Sequence, residues 1–445
     1  MAPVSPASPD SPVLQLSERK RKSARSARRN DVGLFRGFSR WLLHHQISVP
    51  FNLIAILCLV HLYIPTARQH TSKFFWVSHY NPSTGQYGVG DGDCYFLAFC
   101  IVLFTGLRAG FMNYALDPLA KRWGISKKRD ITRFSEQAWL LCYYSIFWTL
   151  GVYIYCTSKY FLNMKEMFTD WPTRELPQIT KAYILGQWAF WLQQVLVINI
   201  EDRRKDHWQM LAHHMVTILL IHTSYSLHLT RVANLILVLM DIVDIFFPLA
   251  KCFKYLGFSI LRDIMFGVFM VSWFVARHLC YMITLWGIYT YMPATIPVGC
   301  YQGSQNNLTG PTPLPEHGWS HTLEPFRNPS GTICHSDNVM WGFLGALGFL
   351  QVLTIFWFFL IVQVAIRVVQ GIGADDIRSE DDGENTDEEE NDSEEVDVSI
   401  EPVVSKVWKN RTDLRKTPGS SGVSLPGHRD RKELLSRIGC EKQLE

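Results

Sequence analysis

Apolar residues in this chain come in long blocks, without the amphipathic spacing of a water-soluble fold. Windows of about 20 mostly apolar residues, the length at which a helix crosses a bilayer, fall at 48–66, 94–116, 137–157, 180–200, 208–228, 232–252, 262–290 and 339–367. The pattern predicts an all-α polytopic membrane protein with about eight transmembrane helices, because a helix satisfies its own backbone inside lipid. The second window is the weakest, being interrupted by Arg108, Asn113 and Asp117. The fifth and sixth are so close in sequence that their helices must form an antiparallel hairpin.

Composition divides the chain further. It is 445 residues long and 48% hydrophobic, yet its mean hydropathy is only +0.03, because both ends are polar. Residues 1–47 form a basic segment carrying the run Arg19-Lys20-Arg21-Lys22. Residues 48–129 hold the first two membrane helices, and 130–370 hold the main membrane domain with its long loop 291–338. From 371 to 445 runs a tail dominated by Asp and Glu between Asp375 and Asp397, too poor in apolar residues to bury a core and expected to be disordered. The first residues lack an apolar signal core, so the first span is expected to be retained as an anchor.

Basic residues favour the cytoplasmic side of short loops. The N-terminal run and the loops Lys121 to Arg133, Asp202 to Lys205 and Lys251 to Arg262 then face the cytoplasm, as do both termini. Loops 67–93, 158–179 and 291–338 face the lumen. The last of these contains the glycosylation triplet Asn307-Leu308-Thr309 together with Cys300 and Cys334. Modification of Asn307 and a disulfide between the two cysteines are therefore expected. In the tail, Ser379 and Thr386 are each followed three residues later by an acid, a pattern that suits phosphorylation by an acid-directed kinase.

Chemistry is concentrated in the predicted hairpin. Its first helix carries His213 and His214 and its second carries Asp241 and Asp244. Ionisable side chains at membrane depth are costly and usually mark a site. At 1.5 Å per residue both pairs lie roughly 8–15 Å from the same surface. A carboxylate that accepts a hydrogen bond from one imidazole nitrogen fixes the tautomer and makes the other nitrogen a base or nucleophile. Arg277, behind Trp273 on the seventh span, needs an acid partner and is expected either to neutralise Asp241 or to line a polar pocket. Arg204 and Lys205 stand just before the histidines, where they suit a phosphate-bearing donor, although the preference of basic residues for the cytoplasmic side would equally place them there. Gln187, Gln193, Gln194 and Asn199 on the fourth span are expected to hydrogen-bond between helices.

The run Arg204-Lys205-Asp206, the pair His213-His214, Thr217, Tyr225, His228, Thr230 and Asp241-x-x-Asp244 resembles the longevity-assurance signature of the ceramide synthases, set in a TLC-type membrane domain. The likeness extends over about residues 130–370 and includes Gln193-Gln194 and Trp273-x-x-x-Arg277-His278. The basic head and acidic tail resemble the fungal branch. The resemblance implies transfer of a fatty acyl group from acyl-CoA to the amine of a sphingoid base, giving ceramide at the endoplasmic reticulum membrane. It implies that His213 and His214 are catalytic, with His214 favoured as nucleophile or base, and that Asp241 and Asp244 support them. Arg204, Lys205, Gln194, Tyr225, His228, Trp273 and Arg277 are then expected to bind substrate. Acyl-CoA is a co-substrate and no cofactor is expected. A homo- or heterodimer with a small single-span regulatory subunit is implied, and nucleic acid is not an expected partner. Two other readings stay open: a non-enzymatic TLC-type protein that binds or senses lipid, and a di-iron lipid hydroxylase suggested by His207, His213 and His214.

Overall fold

The structure is a computed structural model that describes residues 41, 45–200, 207–315 and 320–370. Arg204, Lys205, Ser379, Thr386, most of the basic N-terminal segment and the acidic tail lie outside the described residues.

Each apolar window coincides with a helix. The α-helices of the described residues are α1 (Ser48–Tyr63), α2 (Arg68–Phe75), α3 (Asp93–Phe111), α4 (Asp117–Arg122), α5 (Lys128–Cys156), α6 (Gln178–Ile200), α7 (His207–Ser226), α8 (Thr230–Tyr255), α9 (Ser259–Trp273), α10 (Tyr281–Thr295), α11 (Ser320–Arg327) and α12 (Asp337–Val369). Among the described residues five helical segments are long and apolar enough to cross a membrane: Asp93–Arg122, Lys128–Cys156, Thr230–Tyr255, Ser259–Thr295 and Asp337–Arg367. A sixth arises if the bent α1–α2 unit counts as one span. The structure thus supports five or six of the eight expected spans on length and apolarity. α6 and α7 fall short because of their polar content: Lys181, Gln187, Gln193 and Gln194 on one, and His207, His213, His214 and His222 on the other.

Two expected boundaries move. α1 stops at Tyr63 because Pro65 forces Ile64 into an extended conformation (φ −113°, ψ 92°). The chain then turns by 109° into α2. The doubtful second window is helical throughout, continued past Phe111 by a π turn at Met112–Leu116 that absorbs Asn113.

Small sheets correct the all-α expectation. Strands β1 (Tyr80–Asn81), β2 (Gln86–Gly88) and β3 (Glu175–Leu176) form one antiparallel sheet in that order. Strands β4 (Gly299–Gln302), β5 (Thr309–Thr312) and β6 (Ile333–His335) form a second, ordered β5-β4-β6. Cys300 pairs with Cys334 in the β4–β6 register and the two sulfurs are bonded. Asn307 is exposed in the turn between β4 and β5.

Both sheets sit at one end of the helical bundle, joined by Arg174. Its backbone N–H donates to Gln305 Oε1 (2.8 Å), and its Nη2 donates to Gly331 O (2.8 Å) and Tyr301 O (3.2 Å). Burial pulls the Arg174 guanidinium below its ordinary pKa, and burial likewise lowers His335, against the opposing pull of Asp337.

α8 is the central helix: half of its membrane-length window is buried, against 17–28% for the other four spans. It packs most extensively on α5. Gly151 permits this approach, since a Cβ there would meet Tyr183 Oη at 2.6 Å and Val238 Cγ2 at 2.9 Å. Asn234 Nδ2 donates to the Gly151 carbonyl across the same contact (3.1 Å).

Candidate active site

At the end of the bundle opposite the sheets, α3, α5, α6, α7, α8, α9 and α12 leave a cavity of about 250 Å³. Its walls come from Glu136 to Tyr144 on α5, Trp191 to Ile198 on α6 and His207 to His214 on α7. Asp244 to Lys251 on α8, Phe269, Trp273, Arg277, Trp357 and, from α3, Arg108 complete it. On α6, α7 and α8 the contributing residues fall in the halves ending at Ile200, His207 and Tyr255, and on the membrane-length segment Ser259–Thr295 in the half 259–277.

His213 and His214 are consecutive on α7, so they diverge by about 100° around the helix. The Trp191 ring stands edge-on to both, with centroids 5.5 Å from His213 and 4.9 Å from His214. Trp357 closes on His213 from α12 at 5.2 Å. His214 Nδ1 lies 2.7 Å from the carbonyl oxygen of Met210, one turn back on its own helix. A carbonyl only accepts, so the proton must be on Nδ1, and Nε2 keeps its lone pair. His213 Nδ1 is buried and has no hydrogen-bond partner among the described residues.

The acids do not orient the imidazoles, contrary to the expectation from their spacing. Asp241 is fully buried and accepts a hydrogen bond from Gln187 Nε2 (2.6 Å), while Gln187 Oε1 accepts from Tyr143 Oη (3.0 Å). Asp244 accepts from Arg277 Nη2 (2.9 Å). Amide and guanidinium donors from α6 and the α9–α10 segment thus take the carboxylates, and the nearest helix carbonyl takes the His214 proton. Asp244 lines the cavity with both histidines; Asp241 stands behind the wall. Arg277 pairs with Asp244, not with Asp241, and its guanidinium lies 4.2 Å above the Trp273 ring.

Of the expected substrate-binding residues, Gln194, Trp273 and Arg277 line the cavity. Tyr225 and His228 do not, because the hairpin carries them to the sheet end. There Tyr225 Oη donates to Asp93 (2.7 Å), which forms a buried ion pair with Lys181 (2.6 Å). His228 Nε2 lies 3.4 Å from Arg174 Nη1, and its left-handed backbone (φ 53°) makes the turn between α7 and α8. Sequence reasoning missed Trp191, Trp357, Tyr144 and Glu136 as lining residues. It read Arg108 only as an interruption of a span and Lys251 only as part of a basic loop. Both cations prove to line the cavity. Among the described residues no three His, Cys, Asp or Glu side chains converge as a metal-binding set.

Comparison with known proteins agrees with the residues. The TLC domain family profile matches residues 133–363. A ceramide synthase of Gibberella moniliformis, FUM18, is 43% identical over 88% of this chain and 90% of its own length. The sphingosine N-acyltransferase lag1 of Schizosaccharomyces pombe is 37% identical over 78% of this chain and 81% of its own. The ceramide synthase LAG1 of Saccharomyces cerevisiae is 28% identical, covering 76% and 77%. On the strength of the matched domain, and of relatives aligned along most of both chains, this protein belongs to the TLC-domain family of ceramide synthases.

Proposed function

We propose that this protein is an acyl-CoA-dependent sphingosine N-acyltransferase, joining a fatty acyl group to the amine of a sphingoid base to give ceramide, with His214 Nε2 as the working nitrogen. The observation that carries the assignment is the His214 Nδ1–H···O=C hydrogen bond to Met210, which leaves a lone pair at Nε2 beside a cavity. A neutral imidazole so held can take the proton of an attacking amine, or itself attack a thioester, and a thioester needs no further activation. Both substrates carry long hydrocarbon tails that would lie among the apolar walls. The CoA phosphates would stay at the mouth, close to Arg108 and Lys251. Asp241 and Asp244 would act through Gln187 and Arg277, as positioning residues.

With that mouth facing the cytoplasm, both termini are cytoplasmic, α6 and α7 complete an eight-span bundle, and the sheets are lumenal in the endoplasmic reticulum. Asn307 would then be glycosylated, and Ser379 and Thr386 would be open to a cytoplasmic kinase. Dimerisation and a small single-span subunit belong to the same reading.

The test is N-acylation by purified protein supplied with sphinganine and a panel of acyl-CoAs, with products read by mass spectrometry. His214→Ala is expected to lose about 10²–10⁴-fold in kcat, the range for removing a general base, with wild-type accumulation. Turnover in that variant close to wild type would sink the mechanism.

A further inference from the structure

Acyl transfer also needs a donor for the negative charge that builds on the thioester oxygen, and His214 cannot supply it, because its Nδ1 proton is held by Met210 O and its Nε2 is the base. We propose that the guanidinium of Arg277 is that donor, forming the oxyanion hole of this cavity. The proposal rests on the acyl-transfer reading above.

Depth is the first argument. α7 and α8 leave the same turn at Leu227–Leu229. His214 and Ile242 are each about fourteen residues from its centre, or about 21 Å along their helices. Arg277 Nη2 donates to Met240 O (2.8 Å) and Asp244 Oδ2 (2.9 Å), which bracket Ile242. The guanidinium is therefore held at the level of the histidines, in the wall of the cavity that they share.

The second argument is unused donor capacity. A guanidinium carries five N–H donors in a fixed plane. Both hydrogen bonds of Arg277 leave from Nη2, while Nε is buried with no partner among the described residues. The residue is only 5% exposed. Nη1 likewise carries no hydrogen bond among the described residues and, unlike Nε, is not sealed off, so its donors are open to an acceptor in the cavity, as a nascent oxyanion would be.

Rigidity is the third. Arg277 is central in the π turn Phe274–Cys280 that interrupts the helix between α9 and α10, a distortion that recurs at functional sites. Trp273 beneath it and Asp244 beside it hold the plane in place before substrate arrives, as electrostatic stabilisation requires. Pairing with Asp244 also lets the cation remain in a dry wall.

In the reaction, the amine lone pair adds to the thioester carbonyl carbon and the π pair moves onto oxygen. That oxygen accepts the Arg277 hydrogen bonds while His214 Nε2 takes the amine proton. Collapse re-forms the carbonyl, breaks the C–S bond and expels CoA thiolate, which receives the proton from His214. A route through an acyl-imidazole on His214 passes through the same oxyanion twice, once for each attack.

The test compares Arg277→Gln, Arg277→Lys and the double variant Arg277→Gln/Asp244→Asn, which leaves no unpaired buried carboxylate, with His214→Ala as the control. Steady-state kinetics are read beside the Kd for an acyl-CoA thioether, a ground-state mimic, and for a phosphonate with a tetrahedral anionic centre. Arg277→Gln and the double variant are expected to lose about 10²–10³-fold in kcat. Phosphonate affinity should fall with kcat, while thioether affinity stays within about threefold, the sign of an interaction made in the transition state. Arg277→Lys should recover at least about tenfold of that loss, since a point charge keeps part of the stabilisation. The proposal is overturned if the double variant regains wild-type turnover, for then Arg277 is only a counter-ion to Asp244. It is overturned equally if both ligands weaken together. An inactive His214→Ala beside an active Arg277→Gln would refute the oxyanion hole and leave the acyl-transfer reading intact; wild-type protein without any N-acylation would refute that reading itself.

Discussion

A histidine buried in an apolar helix has to place its N–H somewhere, and His214 places it on the carbonyl one turn back. The sequence displayed the chemistry of the hairpin, because imidazoles and carboxylates in apolar runs stand out. It did not display the pairing. Which donor reaches Asp241 depends on the rotation of α6 and α8 about their axes, and no spacing within one helix encodes that. Gln187, read as an ordinary interhelical bridge, turns out to be the hydrogen-bond donor to the most deeply buried acid. Replacing it tests this arrangement: Gln187→Leu strands a carboxylate and should cost about 1–3 kcal/mol of stability. Tyr143→Phe removes only the next bond in the chain and should cost less. Unfolding midpoints in detergent, with N-acylation measured on the same samples, give the order; a Tyr143→Phe penalty equal to that of Gln187→Leu would contradict it.

Among the secondary-structure elements, the long apolar helices were legible, whereas the strands and the short helices α2 and α11, in segments read as loops, were not. A run of about 20 apolar residues permits little else in a membrane, so every window became helical. The strands are two to four residues long and pair across wide gaps, β2 with β3 and β4 with β6. Segments that short carry no periodic signal. Nor could apolar runs reveal where helices come close, which the α5–α8 contact sets through Gly151. Gly151→Val should push Tyr183 and Val238 aside and lower stability by about 1–3 kcal/mol, as overpacking does. Differential scanning measurements would register it, and an unchanged midpoint would mean that the two helices are less tightly apposed than described.

The whole molecule is polar at its sheet end in a way that makes it sensitive to acid. Both ring nitrogens of His335 lack partners among the described residues, and burial holds its pKa below the unfolded value of about 6.5. The unfolded chain therefore binds more protons, so stability declines as pH falls below that value. The melting temperature should drop between pH 7.5 and 5.5, and His335→Phe should flatten the slope; an equally steep slope in the variant would remove His335 as its source. Topology has its own check at this scale. Asn307→Gln should abolish a glycan-sized mobility shift on expression in microsomes, and a persistent shift would place the β4–β5 turn elsewhere. One feature of α7 bears on how a two-tailed product could leave. A base aligned by a neighbouring helix would lose its aim whenever that neighbour swung out to let the lipid pass sideways. His214 is aligned by its own backbone, so displacement of a neighbouring helix would leave the reactive nitrogen still set for the following turnover.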